Sequence, residues 1–136
     1  MIGSDYILFL DESAQTIANP YLLLGGIIIS RNDYKNILIP SIQNTKAILG
    51  NPNIVFHYTD IIKKQKSFKM MCSDTIMCTN FWDSLRNSIS NVDFKITTAY
   101  TNVKEYNNEY PEFSHDIYEI LFSSVINNYI HCRIDN

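Results

Sequence analysis

A chain of 136 residues, 46% hydrophobic and 18% charged, is long enough to build a core and has ordinary globular composition. That balance excludes a disordered segment, and a formal charge of −3 argues against broad electrostatic adhesion to nucleic acid. A nuclease stays open, because bound divalent ions supply the positive charge such a chain lacks.

The three cysteines, Cys72, Cys78 and Cys132, show no C-x-x-C or paired-His spacing, so a structural zinc site is not expected and reduced thiols are. No basic region precedes the first apolar stretch, so that stretch is not expected to be a signal peptide. The longest apolar run, Tyr21 to Ile29, is far short of the ~20 residues that span a bilayer. One cytoplasmic domain over residues 1–136, with no membrane partner, is the expectation.

Tyr6 to Leu10 reads as a buried strand that runs into the neighbouring carboxylates Asp11 and Glu12. A polar stretch, Ser13 to Pro20, is too short for a crossover helix, so the next strand, Tyr21 to Ser30, should close an antiparallel hairpin. Gly25 and Gly26 inside that strand mark either a bulge or a close approach of another group. Ser30 or Asn32 could cap a helix to about Leu49, stopped by Gly50 and Pro52, with Pro40 kinking it or dividing it in two.

After the short apolar run Ile54 to Phe56, Thr59 or Asp60 caps a short helix. A longer helix is predicted from Ser67 to about Ile89, burying Phe68, Met71, Ile76, Phe81 and Leu85, with Trp82 read as core packing. Phe94 to Val103 is β-branched and reads as a strand. Glu105 to Phe113 reads as a surface loop whose Tyr106 or Tyr110 could stack a base in a nuclease. A last helix runs from Ser114 to about Ile130, with Phe113, Ile117, Leu121, Val125 and Tyr129 on one side. An initial hairpin followed by interleaved helices and strands predicts an α/β fold with a mixed sheet.

Two polar clusters follow apolar runs. Ligands of open α/β sheets collect beyond the carboxyl ends of strands, where Asp11 stands, and regular geometry sends Asp11 and Glu12 to opposite faces. Taken alone, both residues also fit a solvated strand end. In "FHYTDI", His57 could bind a metal or carry a proton near neutral pH. It equally fits a partly buried histidine bonded to a backbone carbonyl, with Asp60 as a cap. The basic run Lys63 to Lys69 fits a solvated loop or, directly after that motif, phosphate contact.

As an ordered set, "YILFLDES", "YLLLGGIIIS", "FHYTDI", "KITTAYTNV" and "HDIYEILFSSVI" resemble the family named domain of unknown function 3800, whose members have a ribonuclease H-like fold. The resemblance covers most of the chain. It implies a ribonuclease H-like α/β sheet with flanking helices, and a nuclease or other phosphodiesterase dependent on Mg²⁺ or Mn²⁺, with nucleic acid as a partner. Asp11 matches the family's first-strand metal ligand, and Glu12 and Ser13 complete that motif. His57 matches a histidine, here given the role of moving a proton or positioning phosphate, and Glu12 or Asp60 would complete the metal shell.

Three positions depart from the pattern. Ala14 replaces the usual Gly, Val55 stands where an acidic residue often precedes the histidine, and Asn102 stands where many relatives carry Asp. Asn102 can still offer a carbonyl oxygen to a hard cation. Relatives are generally longer, with a further acidic residue that Asp135 would have to supply. The chain is therefore expected to be C-terminally incomplete, and a non-catalytic interaction module or a fragment of a longer enzyme is the alternative reading.

Overall fold

The structure is a computed structural model that describes residues 5–13, 16–113 and 116–134, with side chains through residue 131. Ala14, the expected cap Ser114 and Asp135 lie outside the described residues. The elements in chain order are β1 (Tyr6–Glu12), β2 (Tyr21–Ser30), α1 (Ile39–Ile48), α2 (Tyr58–Ile62), α3 (Thr75–Ser90), β3 (Phe94–Asn102), α4 (Val103–Glu109) and α5 (Ile117–Ile134). The fold is α/β. The chain divides into two compact units: a sheet unit of residues 1–30 with 94–136, and a helical unit of residues 31–93.

In the sheet unit, β1 and β2 form the expected antiparallel hairpin, with Tyr6 opposite Ser30 and Glu12 opposite Leu24. β3 pairs antiparallel with the other side of β2, placing Asn102 opposite Tyr21. Among the described residues the sheet order is β1-β2-β3. The sheet is thus antiparallel where a mixed one was expected: β1 and β3 run the same way, but β2 lies between them.

Of the two readings for Gly25 and Gly26, close approach holds at Gly26 and there is no bulge. The register runs unbroken through both residues. A Cβ at Gly26 would stand 2.9 Å from Leu8 Cδ1 and 3.1 Å from both Leu10 Cδ2 and Thr97 Cγ2. α5 packs across this same face. Ile117, Leu121 and Val125, four residues apart, bury against Leu24 and Ala99, with Leu8, Leu10 and Leu22 at the margin. Each such aliphatic side chain contributes at most about 1.5–3 kcal/mol. The opposite face is uncovered over most of its length: Phe9, Tyr21, Leu23, Ile27, Ile96 and Tyr100 are all exposed, and Ile29, at the end of β2, is buried.

In the helical unit, the chain enters a helical turn (Arg31–Asp33) directly from β2, continues as a π-helical segment (Tyr34–Leu38), and then becomes α1. Ser30 is the last strand residue and stands directly before the first helical residue, in the position expected of a cap, whereas Asn32 lies inside the turn. The predicted disturbance at Pro40 takes the form of that π segment. Pro40 has no N–H to return to Asn36 and its ring would crowd that carbonyl, and the wider i→i+5 turn opens the space. The helix stops where expected, at Gly50, whose φ of +70° favours glycine.

The single helix predicted from Ser67 to Ile89 is two elements. A 3-10 helix, Lys66–Cys72, ends before Asp74, which caps α3 by accepting the Met77 N–H at 2.8 Å. Spacing alone could not reveal the break, since Phe68 and Met71 are buried three apart in either helix type. The restart does change the phase, and Ile76, expected inside, is 75% exposed. Phe68, Met71 and Phe81 form the core with Leu49, Ile54 and Ile61, and Leu85 and Trp82 pack against it. α1 and α3 are also joined by hydroxyls, buried Thr45 Oγ1 lying 2.7 Å from Ser84 Oγ and 3.3 Å from Ser88 Oγ.

The stretch expected as a surface loop holds α4 and a 3-10 turn, Pro111–Phe113. Cys72 and Cys78 are free thiols. No helix among the described residues is long and apolar enough to cross a membrane.

Candidate functional site: the end of the first strand

Asp11 stands opposite Gly25, which in turn stands opposite Thr98. It has the parity of exposed Phe9, so it belongs to the uncovered face. Gly25 places no side chain beside it. The result is a shallow depression of about 470 Å³ whose lining includes Phe9, Asp11, Ser13, Leu23, Ile27 and Ile96. Ser13 ties the rim down: its N–H donates to Leu23 O at 2.9 Å, and its Oγ accepts the Leu23 N–H at 3.2 Å. One Asp11 oxygen accepts the Glu12 N–H at 3.0 Å, which leaves the exposed carboxylate its other acceptor sites.

Glu12 has the parity of Leu8 and Leu10 and faces α5, where it meets Tyr118. Partial burial, then the Glu12 charge, then the hydrogen bond to Glu12 raise the Tyr118 hydroxyl above its ordinary value of 10.0. The two neighbouring carboxylates thus serve different faces, as strand geometry predicts.

Asn102 does not join them. It lies four residues beyond Thr98 on β3, about 13 Å further along the sheet than Asp11 and two strands away. A cation held at ~2.0–2.6 Å by each ligand cannot bridge that gap. The Asn102 Oδ1 is also in use, accepting the N–H groups of Lys104 at 3.1 Å and Glu105 at 3.3 Å as the cap of α4. The expected metal ligand is a helix cap.

His57 and Asp60 belong to the helical unit. His57, and not Thr59 or Asp60, is the N-cap residue of α2. Its carbonyl accepts the Ile61 N–H at 3.0 Å, and its side chain is exposed. Asp60 is buried, and its Oδ2 accepts Lys66 Nζ at 2.8 Å. An ammonium already stands where a metal ion would have to bind. Among the described residues, no group of three or more His, Cys, Asp or Glu is placed to hold a metal ion.

Sequence reasoning missed the Asp60–Lys66 pair, because the turn joining them is set by backbone conformation. Lys64 and Lys66 both adopt positive φ, 49° and 51°. Lys64 N–H bonds Ile61 O at 3.1 Å and Gln65 N–H bonds Asp60 O at 2.9 Å, the paired reverse bonds of a Schellman cap. It also missed the exposed Tyr21–Tyr100 ring pair, with centroids 6.3 Å apart, on the uncovered face. Alternation in β2 and β3 carried that signal. No family model, curated protein or solved structure matches the chain.

Proposed function

We propose that the chain is a ribonuclease H-like domain of the family named domain of unknown function 3800, working as a divalent-metal-dependent phosphodiesterase or nuclease with Asp11 as its metal-binding carboxylate. The observation that carries this reading is the place of Asp11: at the carboxyl end of the first strand, on an uncovered face, beside a glycine. An antiparallel hairpin, a third antiparallel strand and a helix packed across one sheet face agree with the opening of such a fold.

The donor set limits the metal chemistry. Mg²⁺ commonly takes one or two carboxylates, several waters and substrate phosphates, so a single hydrated Mg²⁺ or Mn²⁺ fits at Asp11. Two ions ~3.5–4 Å apart need more carboxylates than the described residues bring together. A single ion would polarise a phosphoryl oxygen and lower the pKa of a bound water. The chain's own part is to hold the carboxylate at the strand end and keep the facing position on β2 free of a side chain. His57 is assigned proton transfer or phosphate positioning.

The test is hydrolysis of DNA, RNA and a small phosphodiester with Mg²⁺ or Mn²⁺. Asp11→Asn should bring cleavage down to background while the far-UV circular dichroism stays unchanged, and His57→Ala should lower it without abolishing ion binding. Cleavage that survives Asp11→Asn would refute the assignment.

A non-catalytic interaction module is the second reading. The exposed apolar side chains of that sheet face favour it.

A further inference from the structure

The charge of −3 is unevenly distributed. Residues 31–93 contain eight of the eleven Lys and Arg residues but five of the fourteen Asp and Glu, a formal surplus of three positive charges. The sheet unit holds three basic and nine acidic residues. The helical unit taken by itself therefore carries the sign of charge that attracts nucleic acid.

Four of those eight cations fall in Lys63 to Lys69, and the backbone there is well fixed. The Schellman bonds close α2, and Asp60 holds the next residues through its carbonyl to Gln65 and its carboxylate to Lys66. Lys66 and Lys69 are one 3-10 turn apart, so their side chains leave along the same edge. Lys63 and Lys69 are exposed, whereas Lys64 Nζ reaches back to Met71 O at 3.4 Å. At the start of α2, Tyr58 is 76% exposed, with half-exposed Ile62 one turn on. A tyrosine ring left in water on the short helix that leads into a lysine-rich turn is poor packing and a good stacking platform.

We propose that the helical unit binds single-stranded nucleic acid, with Lys63 and Lys69 contacting phosphates and Tyr58 stacking on a base. Lysines on a pre-formed turn neutralise a polyanion, and an aromatic ring selects strands whose base faces are open. A duplex offers the phosphates but not the base faces. This assigns a substrate class to the phosphodiesterase reading and rests on it only for catalysis, since binding needs no metal.

The experiment is fluorescence anisotropy of the full chain with labelled 20-nucleotide single strands of DNA and of RNA, and with a duplex, in EDTA at several salt concentrations. We expect single strands to bind more tightly than duplex. Lys63→Ala with Lys69→Ala should weaken binding about tenfold and flatten the salt slope by about 1.4, at ~0.7 per phosphate contact. Tyr58→Ala should weaken it at least about fivefold, the loss that stacking of ~1–3 kcal/mol per base implies. All three side chains are exposed, so the melting temperature of each variant should match that of the parent. The inference is overturned by absence of binding at low salt, by duplex binding as tightly as single strands, or by variants that bind like the parent. It is also overturned if polyglutamate competes as well as DNA. Lys-dependent binding without cleavage would defeat the catalytic reading alone, whereas cleavage indifferent to these lysines would defeat this one alone.

Discussion

Two glycines side by side show how much one position can differ from the next. A methyl group at Gly26 would press on three side chains of the packed face, and one at Gly25 meets only ordinary contacts. Glycine is therefore needed for packing at residue 26, whereas at residue 25 its effect is to leave the position facing Asp11 without a side chain. The next row carries a pH-dependent contact. The Tyr118 hydroxyl is held above its ordinary value, so the folded state keeps that proton more firmly than the unfolded chain does. The stabilisation is complete below about pH 10, the unfolded value, and fades as pH rises through the folded one. Glu12→Gln removes the charge and leaves the partial burial. The Tyr118 value, read by NMR of labelled tyrosine with Tyr118→Phe as the assignment control, should return part of the way to 10.0. Urea midpoints should then fall less steeply above pH 10 than in the parent. An unmoved Tyr118 would mean that Glu12 does not face α5, and would undo the assignment of the two carboxylates to opposite faces.

At the scale of elements, helix ends decide the layout of the helical unit. Asp74 separates the 3-10 helix from α3, and its side chain satisfies a donor that the first turn of α3 would otherwise leave unpaired. Asp74→Ala should cost about 1 kcal/mol in urea unfolding, with Asp74→Ser retaining most of it. Equal stability for both variants would show that the cap is not what starts α3. The last helix was legible at once, since Ile117, Leu121 and Val125 keep a four-residue spacing that survives into the packed face. The long helix was not, because an apolar step of three is shared by α and 3-10 geometry. α4 was hidden for another reason: Asn102 was read for its oxygen as a metal ligand, and the same oxygen caps a helix.

At the scale of the molecule, the two readings of function differ in what a divalent ion does to stability. A specific ion at Asp11 binds the native chain alone, so at about 100 times its dissociation constant it should stabilise by about 2.7 kcal/mol. Millimolar Mg²⁺ or Mn²⁺ should therefore raise the melting temperature of the parent and leave that of Asp11→Asn where it was. A parent that does not respond favours the interaction module. The same comparison in high monovalent salt separates specific binding from general screening.

The sequence by itself determined the hairpin, the strand that ends in Asp11, the stop at Gly50 and the buried stripe of α5. Each depends on side-chain periodicity or on a residue with restricted backbone freedom, and both are local properties. Tertiary structure alone decided the partners of the candidate ligands. It paired Asp60 with Lys66 across a left-handed turn, gave Asn102 to α4, turned Glu12 toward Tyr118 and left Asp11 outside any metal-holding group among the described residues. Those outcomes depend on register and on which groups meet after the chain has turned back. Spacing along a sequence does not carry that information.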